Sequence, residues 1–194
     1  MTNEQEPPPL AQGKRVVLRR LSAEHGPEFL SLRRASADFH RVWDPLPAPG
    51  EDPYGQAAFE RLLASGREPS CERTLVCSRV DGDILGAVNF NNIVRGAFQS
   101  CFLGYWVGAA HARKGYMREG LGLALEHGFG ALCLHRMEAN IQPHNEASLA
   151  LVRGLGFRRE GYSPRYLKIC GEWRDHERWA ITAEDWREAR SSCV

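Results

Sequence analysis

The sequence predicts one α/β domain, built as a mixed β-sheet with helices on both faces. Strand-like and helix-like segments intermix along the chain without strict alternation, which favours a mixed sheet over a purely parallel one. The 194 residues are enough for a single domain with a full-sized core. We expect that domain to cover residues 14–190. Residues 1–13 are expected to form a disordered tail, because three consecutive prolines there prevent regular pairing.

The first half of the chain predicts a strand, two helices and a stiff loop. Residues 15–21 are rich in aliphatic side chains and indicate a strand. Ser22 can cap a helix that runs to about residue 39, and residues 53–65 predict a second helix with one apolar face. Three prolines in residues 42–50 exclude a helix there, so we expect Trp43 and Asp44 on a rigid loop.

The second half predicts several strands and two helices. The predicted strands are residues 74–80, 84–93, 100–108, 136–142, 157–170 and 173–181. Asp81-Gly82-Asp83 indicates a hairpin between the first two. One helix follows the glycine turn at residues 111–118 and carries an apolar stripe that begins at Met117. The other covers residues 145–154, with Asn145 as its cap and Gly154 as its stop.

Composition and charge exclude several classes of protein. The formal net charge is +1, so neither direct nucleic-acid binding nor membrane binding is expected of the whole molecule. The apolar runs are too short for a membrane span, and the polar start lacks the apolar segment of a signal peptide; both features predict a cytoplasmic protein. The six cysteines show no metal-type spacing, so we expect no metal site. Cys77, Cys101, Cys133 and Cys170 lie in apolar surroundings, and we expect them to be buried, reduced thiols.

Two segments carry the strongest functional signals. Arg113, Lys114 and Arg118 surround Gly115 at a helix start, where unpaired backbone N–H groups suit a diphosphate. The turn lacks the further glycines of the P-loop and Rossmann motifs. Asn145 is expected to cap its helix, and Ser148 lies one turn further in. Both side chains are candidates for hydrogen bonds to a thioester or a departing thiolate.

Two further segments remain ambiguous at this level. Trp43 and Asp44 can either contact a substrate or pack at the edge of the core. Asp175 and His176 are neighbours on a predicted strand and therefore point to opposite faces, which excludes a simple dyad. A structural role for His176 is the simpler interpretation, with acid–base chemistry as the alternative.

Taken together, the motifs resemble the bacterial ribosomal-protein-alanine N-acetyltransferases of the RimJ/RimL type, the RimJ branch in particular, within the GNAT superfamily. The similarity covers nearly all of the chain after residue 13. Its most specific pieces are residues 89–96, Leu103-Gly104-Tyr105, Lys114-Gly115-Tyr116-Met117, residues 135–140, Pro143-His144-Asn145, Leu155-Gly156-Phe157, residues 160–162 and Trp173-Arg174-Asp175-His176. One departure is Ala112-Arg113, where the family usually has Gln or Arg followed by Gly; this leaves the coenzyme affinity in question.

The resemblance implies a GNAT fold, in which two central parallel strands splay apart and acetyl-coenzyme A is the cosubstrate. These strands would be residues 100–108 and 136–142, with backbone donors near Val107 stabilising the oxyanion. A substrate amine would attack the thioester directly, and Ser148, with Asn145 nearby, would protonate the thiolate. The implied coenzyme-binding residues are Trp106, Val107, Gly108, Arg113, Lys114, Gly115, Tyr116, Met117, Arg118, Asn140, Asn145 and Ser148.

For the acceptor, the resemblance implies the N-terminal α-amine of a small-subunit ribosomal protein, free or in the ribosome or its precursor. Asp44 and Glu138 are the candidate bases or ammonium-attracting groups. The candidate acceptor-binding residues are Trp43, Asn89, Asn91, Tyr105 and His176. Two alternatives stay open: a small amine as the acceptor (an amino acid, dipeptide, polyamine or antibiotic), and a non-catalytic coenzyme-A-binding ribosome assembly factor. The sequence does not indicate an oligomeric state.

Overall fold

The computed structural model describes residues 8–191, in which an eight-stranded sheet lies between two groups of helices. The strands are β1 Ala11–Gln12, β2 Val16–Arg20, β3 Glu72–Ser78, β4 Ile84–Val94, β5 Ser100–Val107, β6 Arg136–Ile141, β7 Arg158–Ile169 and β8 Glu172–Thr182. The helices are α1 Gly26–Ala35, α2 Ala37–His40, α3 Gln56–Ser65, α4 Tyr116–Phe129, α5 Glu146–Gly154 and α6 Ala183–Ser191. The predicted mixed α/β architecture is confirmed.

The sheet runs in the order β1-β2-β3-β4-β5-β6-β8-β7. The pair β5 and β6 is parallel, and the other neighbouring strands are antiparallel. A parallel pair needs a crossover connection, and α4 supplies it by returning the chain from the end of β5 to the start of β6. The topology therefore places the α4 N-terminus beside the end of β5.

Each face of the sheet has its own apolar core, and we name the two faces after the helices that cover them. On the α4 side, Leu121 and Leu125 pack against a cluster that includes Met137 of β6 and Leu149 of α5. On the α1 side, the buried Phe29 and Phe59 rings lie 5.5 Å apart and pack against residues of β2, β3 and β4. Burial of each such side chain contributes about 1.5–3 kcal/mol. The centre of the α1 side carries polar side chains instead.

The predicted N-terminal boundaries need two corrections. The prediction of a disordered tail through residue 13 is wrong at its end, because Ala11 and Gln12 pair with Leu18 and Val17 of β2; residues 1–7 lie outside the described part of the chain. The predicted helix over residues 22–39 is divided into a short 3-10 turn, α1 and α2. The division falls at Ser36, a buried residue whose hydroxyl accepts the Ala109 N–H at 3.0 Å.

The thiols also differ in part from expectation. Cys77 and Cys101 are buried, and burial raises the pKa of Cys101 to about 12. Cys133 is exposed and Cys170 half-buried, so the expectation of buried thiols is wrong for these two. The five described cysteines are free.

Candidate active site

The parallel strands β5 and β6 separate soon after they meet. Their pairing is limited to Ser100↔Arg136, Cys101↔Met137 and Phe102↔Glu138, although β5 continues to Val107 and β6 to Ile141. Beyond Phe102, the edge of β5 that faces β6 therefore has no partner strand among the described residues. Such an edge presents backbone groups that can pair with an extended ligand. The expected splay is present.

The turn before α4 concentrates backbone N–H groups at one end of this cleft. Gly115, the N-cap of α4, has a φ of 79°, and Arg113 has a φ of 60°. Among the described residues, the N–H groups of 113–115 donate to no backbone acceptor, and the first N–H groups of a helix have no acceptor within it. Successive free N–H groups in such a turn form an anion-binding concavity, which the helix dipole reinforces.

Arg15, the residue immediately before β2, holds this turn in place. Its guanidinium donates to the Lys114 carbonyl at 3.0 Å and lies 5.0 Å from the Tyr116 ring centroid. Its own backbone N–H donates to Glu119 at 2.7 Å, which fixes the first turn of α4 to the start of β2. These contacts order the turn without using the backbone N–H groups of residues 113–115.

The remaining predicted turn residues divide by exposure. Arg113, Lys114 and Arg118 are exposed cations, although Arg118 also donates to the Gly154 carbonyl at 3.1 Å. The Met117 side chain is 91% buried in the α4-side core. Only the backbone of Met117 can therefore take part in the predicted binding of the coenzyme.

Asn145 caps α5, as expected, with its side-chain oxygen accepting the Ser148 N–H at 3.1 Å. The Tyr105 side chain extends to the α4 side and lies next to Ser148. Burial raises the pKa of Tyr105 to about 12, and the Ser148 side chain opposes that shift. The Tyr105 hydroxyl is buried and forms no hydrogen bond of normal geometry with a described residue. The three side chains make a group of neutral donors at the cleft.

A cavity of about 400 Å³ opens on the α1 side of the same strands. Its polar lining includes Asn89, Arg33 and Asp44, and Gly104 and Trp106 of β5 complete the wall. Arg33 donates to Asp44 Oδ2 at 2.8 Å. The Trp106 ring is anchored edge-on against Phe29, with 5.5 Å between their centroids. The cavity thus has a rigid wall and a fixed pair of opposite charges.

Several predicted site residues already have partners. The Asn91 side chain accepts from Arg73 at 2.5 Å. Glu138, next to the point of strand separation, accepts from Arg136 Nε at 2.8 Å. Arg136 also binds Glu160, whose hydrogen bond is the main cause that raises the pKa of Arg136 and whose own pKa is lowered in return.

The β7–β8 hairpin brings one predicted residue below the surface. His176 is 97% buried, and its Nδ1 lies 3.0 Å from the Arg174 carbonyl. The Tyr166 ring covers it, with centroids 5.6 Å apart, and the Tyr166 hydroxyl lies 3.4 Å from Asn140 Nδ2. His176 therefore packs beneath the Tyr166 ring and is not exposed to solvent. The Trp43 ring packs against the ring of His144, which lies on the loop after β6; the two ring centroids are 5.1 Å apart.

The structure thus separates the predicted residues into two sets around one cleft. Ser148, Asn145 and the 113–118 turn lie toward the α4 side. Asn89, Asp44, Glu138 and Asn140 lie toward the α1 side. Tyr105, predicted with the second set, borders the cavity but directs its hydroxyl to the first.

Two residues near the cleft were missed in the sequence. Arg33 looks like any basic residue in the last turn of a helix. Tyr166 had one available signal, Pro164, since proline inside a predicted strand indicates a bulge.

Within residues 8–191 no group of three or more His, Cys, Asp or Glu side chains is arranged to hold a metal ion. None of the described helices is long and apolar enough to cross a membrane.

Comparisons with known proteins are consistent with this geometry. A family model described as an acetyltransferase (GNAT) domain matches residues 15–158. A [ribosomal protein uS5]-alanine N-acetyltransferase from Escherichia coli is 44% identical over 108 residues, which is 56% of each chain. The chain thus spans little more than half the length of this curated relative. A probable N-acetyltransferase from Bacillus subtilis, YjcK, is 30% identical over 91% of this chain and 98% of its own.

Among solved structures, Mycobacterium smegmatis RimJ in complex with CoA-disulfide superposes with a TM-score of 0.81 and 30% sequence identity. The superposition covers 91% of this chain and 88% of that one.

Proposed function

The chain belongs to the acetyltransferase (GNAT) family, and we propose that it transfers the acetyl group of acetyl-coenzyme A to the N-terminal α-amine of a protein. The first candidate acceptor is an alanine-initiated small-subunit ribosomal protein, free or in the ribosome or its precursor. With that acceptor, the reaction takes place in the cytoplasm. The observation that carries the proposal is the separation of β5 and β6 beside a turn rich in free N–H groups. The name of the uS5-alanine acetyltransferase supports the choice of acceptor.

The residues present fit coenzyme A. Its pyrophosphate suits the N–H groups of 113–118, and Arg113, Lys114 and Arg118 add positive charge. Its extended pantetheine arm suits the unpaired edge of β5 up to Val107. When bound, the coenzyme supplies an acetyl thioester, and backbone N–H groups near Val107 would stabilise negative charge on its oxygen.

The acceptor amine approaches from the α1 side, because α4 and α5 cover the other face. Asp44 is 37% exposed on its side chain and borders the cavity, so it attracts the substrate ammonium. A peptide α-amine has a pKa near 8, and a useful fraction is neutral at pH 7. Glu138, beside the point of strand separation, is the candidate that removes the remaining proton, directly or through water.

Ser148 and Tyr105 provide the proton for the departing thiolate. Both are neutral donors beside the cleft, and Tyr105 remains protonated over the whole working range because burial raises its pKa to about 12. Asn145 places Ser148 by accepting its N–H. The chain therefore provides an attracting carboxylate on one side and a proton donor on the other.

A second candidate function is acetylation of a small amine. The cavity of about 400 Å³ with the fixed Arg33–Asp44 pair favours it, since metabolite sites are concave and carry a few placed charges. The two candidates share the chemistry and differ only in the acceptor.

The experiment incubates the protein with acetyl-coenzyme A and either an alanine-initiated peptide or a panel of free amino acids, dipeptides and polyamines, and reads the products by mass spectrometry. Ser148→Ala is run beside wild type, with Ser31→Ala on the exposed face of α1 as the matched control. We expect acetylation of the peptide α-amine, slowed about 10- to 100-fold in Ser148→Ala and unchanged in Ser31→Ala.

Acetylation of a small amine alone would replace the first candidate with the second. The absence of any product, with coenzyme A shown to bind by calorimetry, would reject both.

A further inference from the structure

Strand β7 contains a bulge opposite Asp175. Ser163 pairs with His176 and Leu167 pairs with Arg174, so three residues of β7 stand opposite one of β8. Arg165, in the middle of the bulge, has a φ of 50°, a left-handed conformation that costs a non-glycine residue about 1–2 kcal/mol. Bulges of this kind commonly redirect a side chain next to an active site.

Asp175 stabilises the bulge with both carboxylate oxygens. Oδ1 accepts the Arg165 N–H at 2.7 Å, and Oδ2 accepts the Tyr162 hydroxyl at 2.6 Å. These bonds, the one from Tyr162 above all, lower the pKa of Asp175. The strained conformation of Arg165 is therefore held by a charged acceptor from the neighbouring strand.

The bulge places Tyr166 against β6. Its ring rests on the buried His176, and its hydroxyl meets the Asn140 side chain at Nδ2, 3.4 Å away. A regular β7 would lack the two additional residues that shift Tyr166 relative to β8. The contact with Asn140 is thus a product of the bulge.

Asn140 lies two residues beyond Glu138, the last residue of β6 that pairs with β5. Residues two apart on a strand share a face, so Asn140 and Glu138 lie together on the α1 side, opposite the core-facing Ala139. The Asn140 Oδ1 atom is buried and has no hydrogen-bond partner among the described residues. An unsatisfied buried acceptor costs about 1–3 kcal/mol, and a ligand N–H that reaches this oxygen would remove that cost.

We propose that Asn140 Oδ1 accepts an N–H of the acceptor's primary amine, and that Tyr166, held by Asp175, is the positioning residue that orients it. This inference rests on the proposed function and identifies a specificity-determining pair within it. The resemblance assigned Asn140 to coenzyme A; we assign the donor to the acceptor amine instead, because Asn140 lies on the α1 side, from which the acceptor approaches, and the Kd of coenzyme A in the test below distinguishes the two. A primary amine retains a spare N–H for Asn140, whereas an N-methylated amine has one fewer.

The test measures steady-state kinetics with the best acceptor found by mass spectrometry, together with the Kd of coenzyme A by calorimetry. In Asn140→Leu and Tyr166→Phe we expect the acceptor KM to rise about tenfold and about threefold respectively, since a hydrogen bond of this kind is worth a factor of this size. Asn140→Asp keeps an oxygen at the same position and should preserve the wild-type acceptor KM. The Kd of coenzyme A should be unchanged in all three.

The control is Lys168→Ala, an exposed residue of the same strand, and thermal denaturation confirms that each variant is folded. An unchanged acceptor KM in Asn140→Leu would overturn the inference, as would a weakened Kd for coenzyme A. If wild type acetylates no amine, the proposed function fails; binding of primary and N-methylated amines to the coenzyme-loaded protein then tests Asn140 separately. A preference for the primary amine that disappears in Asn140→Leu would support the inference, and equal binding would overturn it.

Discussion

The Arg33 guanidinium lies over the indole ring of Trp106, with 4.8 Å between its central carbon and the ring centroid. The same group donates to Asp44 and lies 3.2 Å from His40 Nδ1. A planar cation that stacks and donates in several directions fixes the cavity wall and the orientation of Asp44 at once. Lysine, a compact ammonium, cannot reproduce both contacts.

We therefore expect Arg33→Lys to raise the acceptor KM about tenfold and to lower the free energy of unfolding by about 1 kcal/mol, while the Kd of coenzyme A stays constant. Steady-state kinetics and urea denaturation measure the two effects. Arg34→Lys is the control, since its ion pair with Asp52 is exposed and worth little. Equal effects of the two substitutions would contradict a special role for Arg33.

Gly115→Ala should destabilise the turn that precedes α4. The φ of 79° there costs an L-residue about 1–2 kcal/mol, and a Cβ would lie 3.0 Å from the Arg15 guanidinium. We expect a lower free energy of unfolding and a weaker Kd for coenzyme A. Gly154→Ala is the matched control, because that helical position has space for a Cβ and should be neutral or stabilising. An unchanged Kd for coenzyme A in Gly115→Ala would show that this turn does not bind the pyrophosphate.

Tyr105→Phe removes only the buried hydroxyl. If Tyr105 and Ser148 protonate one thiolate together, we expect kcat to fall about 10- to 100-fold and the double variant with Ser148→Ala to lose less than the sum of the two free-energy changes. Single-turnover rates measured over pH 6–9 test this. Full additivity would mean that the two hydroxyls act independently.

Stability should decrease as the solution is acidified below pH 6.5. Burial lowers the pKa of His40, with the nearby Arg33 adding to the effect, and burial also lowers the pKa of His176. The unfolded chain then binds more protons than the native one between the folded pKa values and 6.5, so the stabilisation is complete above that pH and is lost below it. Urea denaturation at pH 8, 7, 6 and 5 should show this slope, and His40→Gln together with His176→Gln should flatten it. If the free energy of unfolding still falls with pH in the double variant, another group must titrate. Substitution of the exposed His135 by glutamine is the control.

The elements that sequence patterns predicted well are those that local chemistry determines. The Asp81-Gly82-Asp83 turn, the Asn145 cap and the stripe that begins at Met117 depend on spacing along the chain, and each is present in the structure. Strand β1 was missed because its two residues become ordered only by pairing with β2. Helix α6 is polar and lacked an apolar stripe, although Glu184 and Asp185 in its first turn were a start signal.

The candidate site was predicted less completely because its details depend on contacts between distant segments. The phosphate-binding turn was predicted from motifs in residues 104–157, and the cleft from the family resemblance. Arg33 and Tyr166 reach the cleft only through the packing of α1 and the bulge in β7, which no short motif specifies. Likewise, Asn91 is bound by Arg73 of the neighbouring strand β3, a pairing that depends on strand register. The Arg136–Glu138 contact joins residues two apart on one strand, which share a face.

The central seam of the sheet has a mechanical consequence. The two parts of the sheet, β1–β5 and β6–β8, are joined through three residue pairs between β5 and β6. An extended molecule that pairs with the open edge of β5 would add main-chain hydrogen bonds beyond these three pairs. If coenzyme A binds as proposed, its arrival and departure would change how firmly the two parts of the sheet are joined.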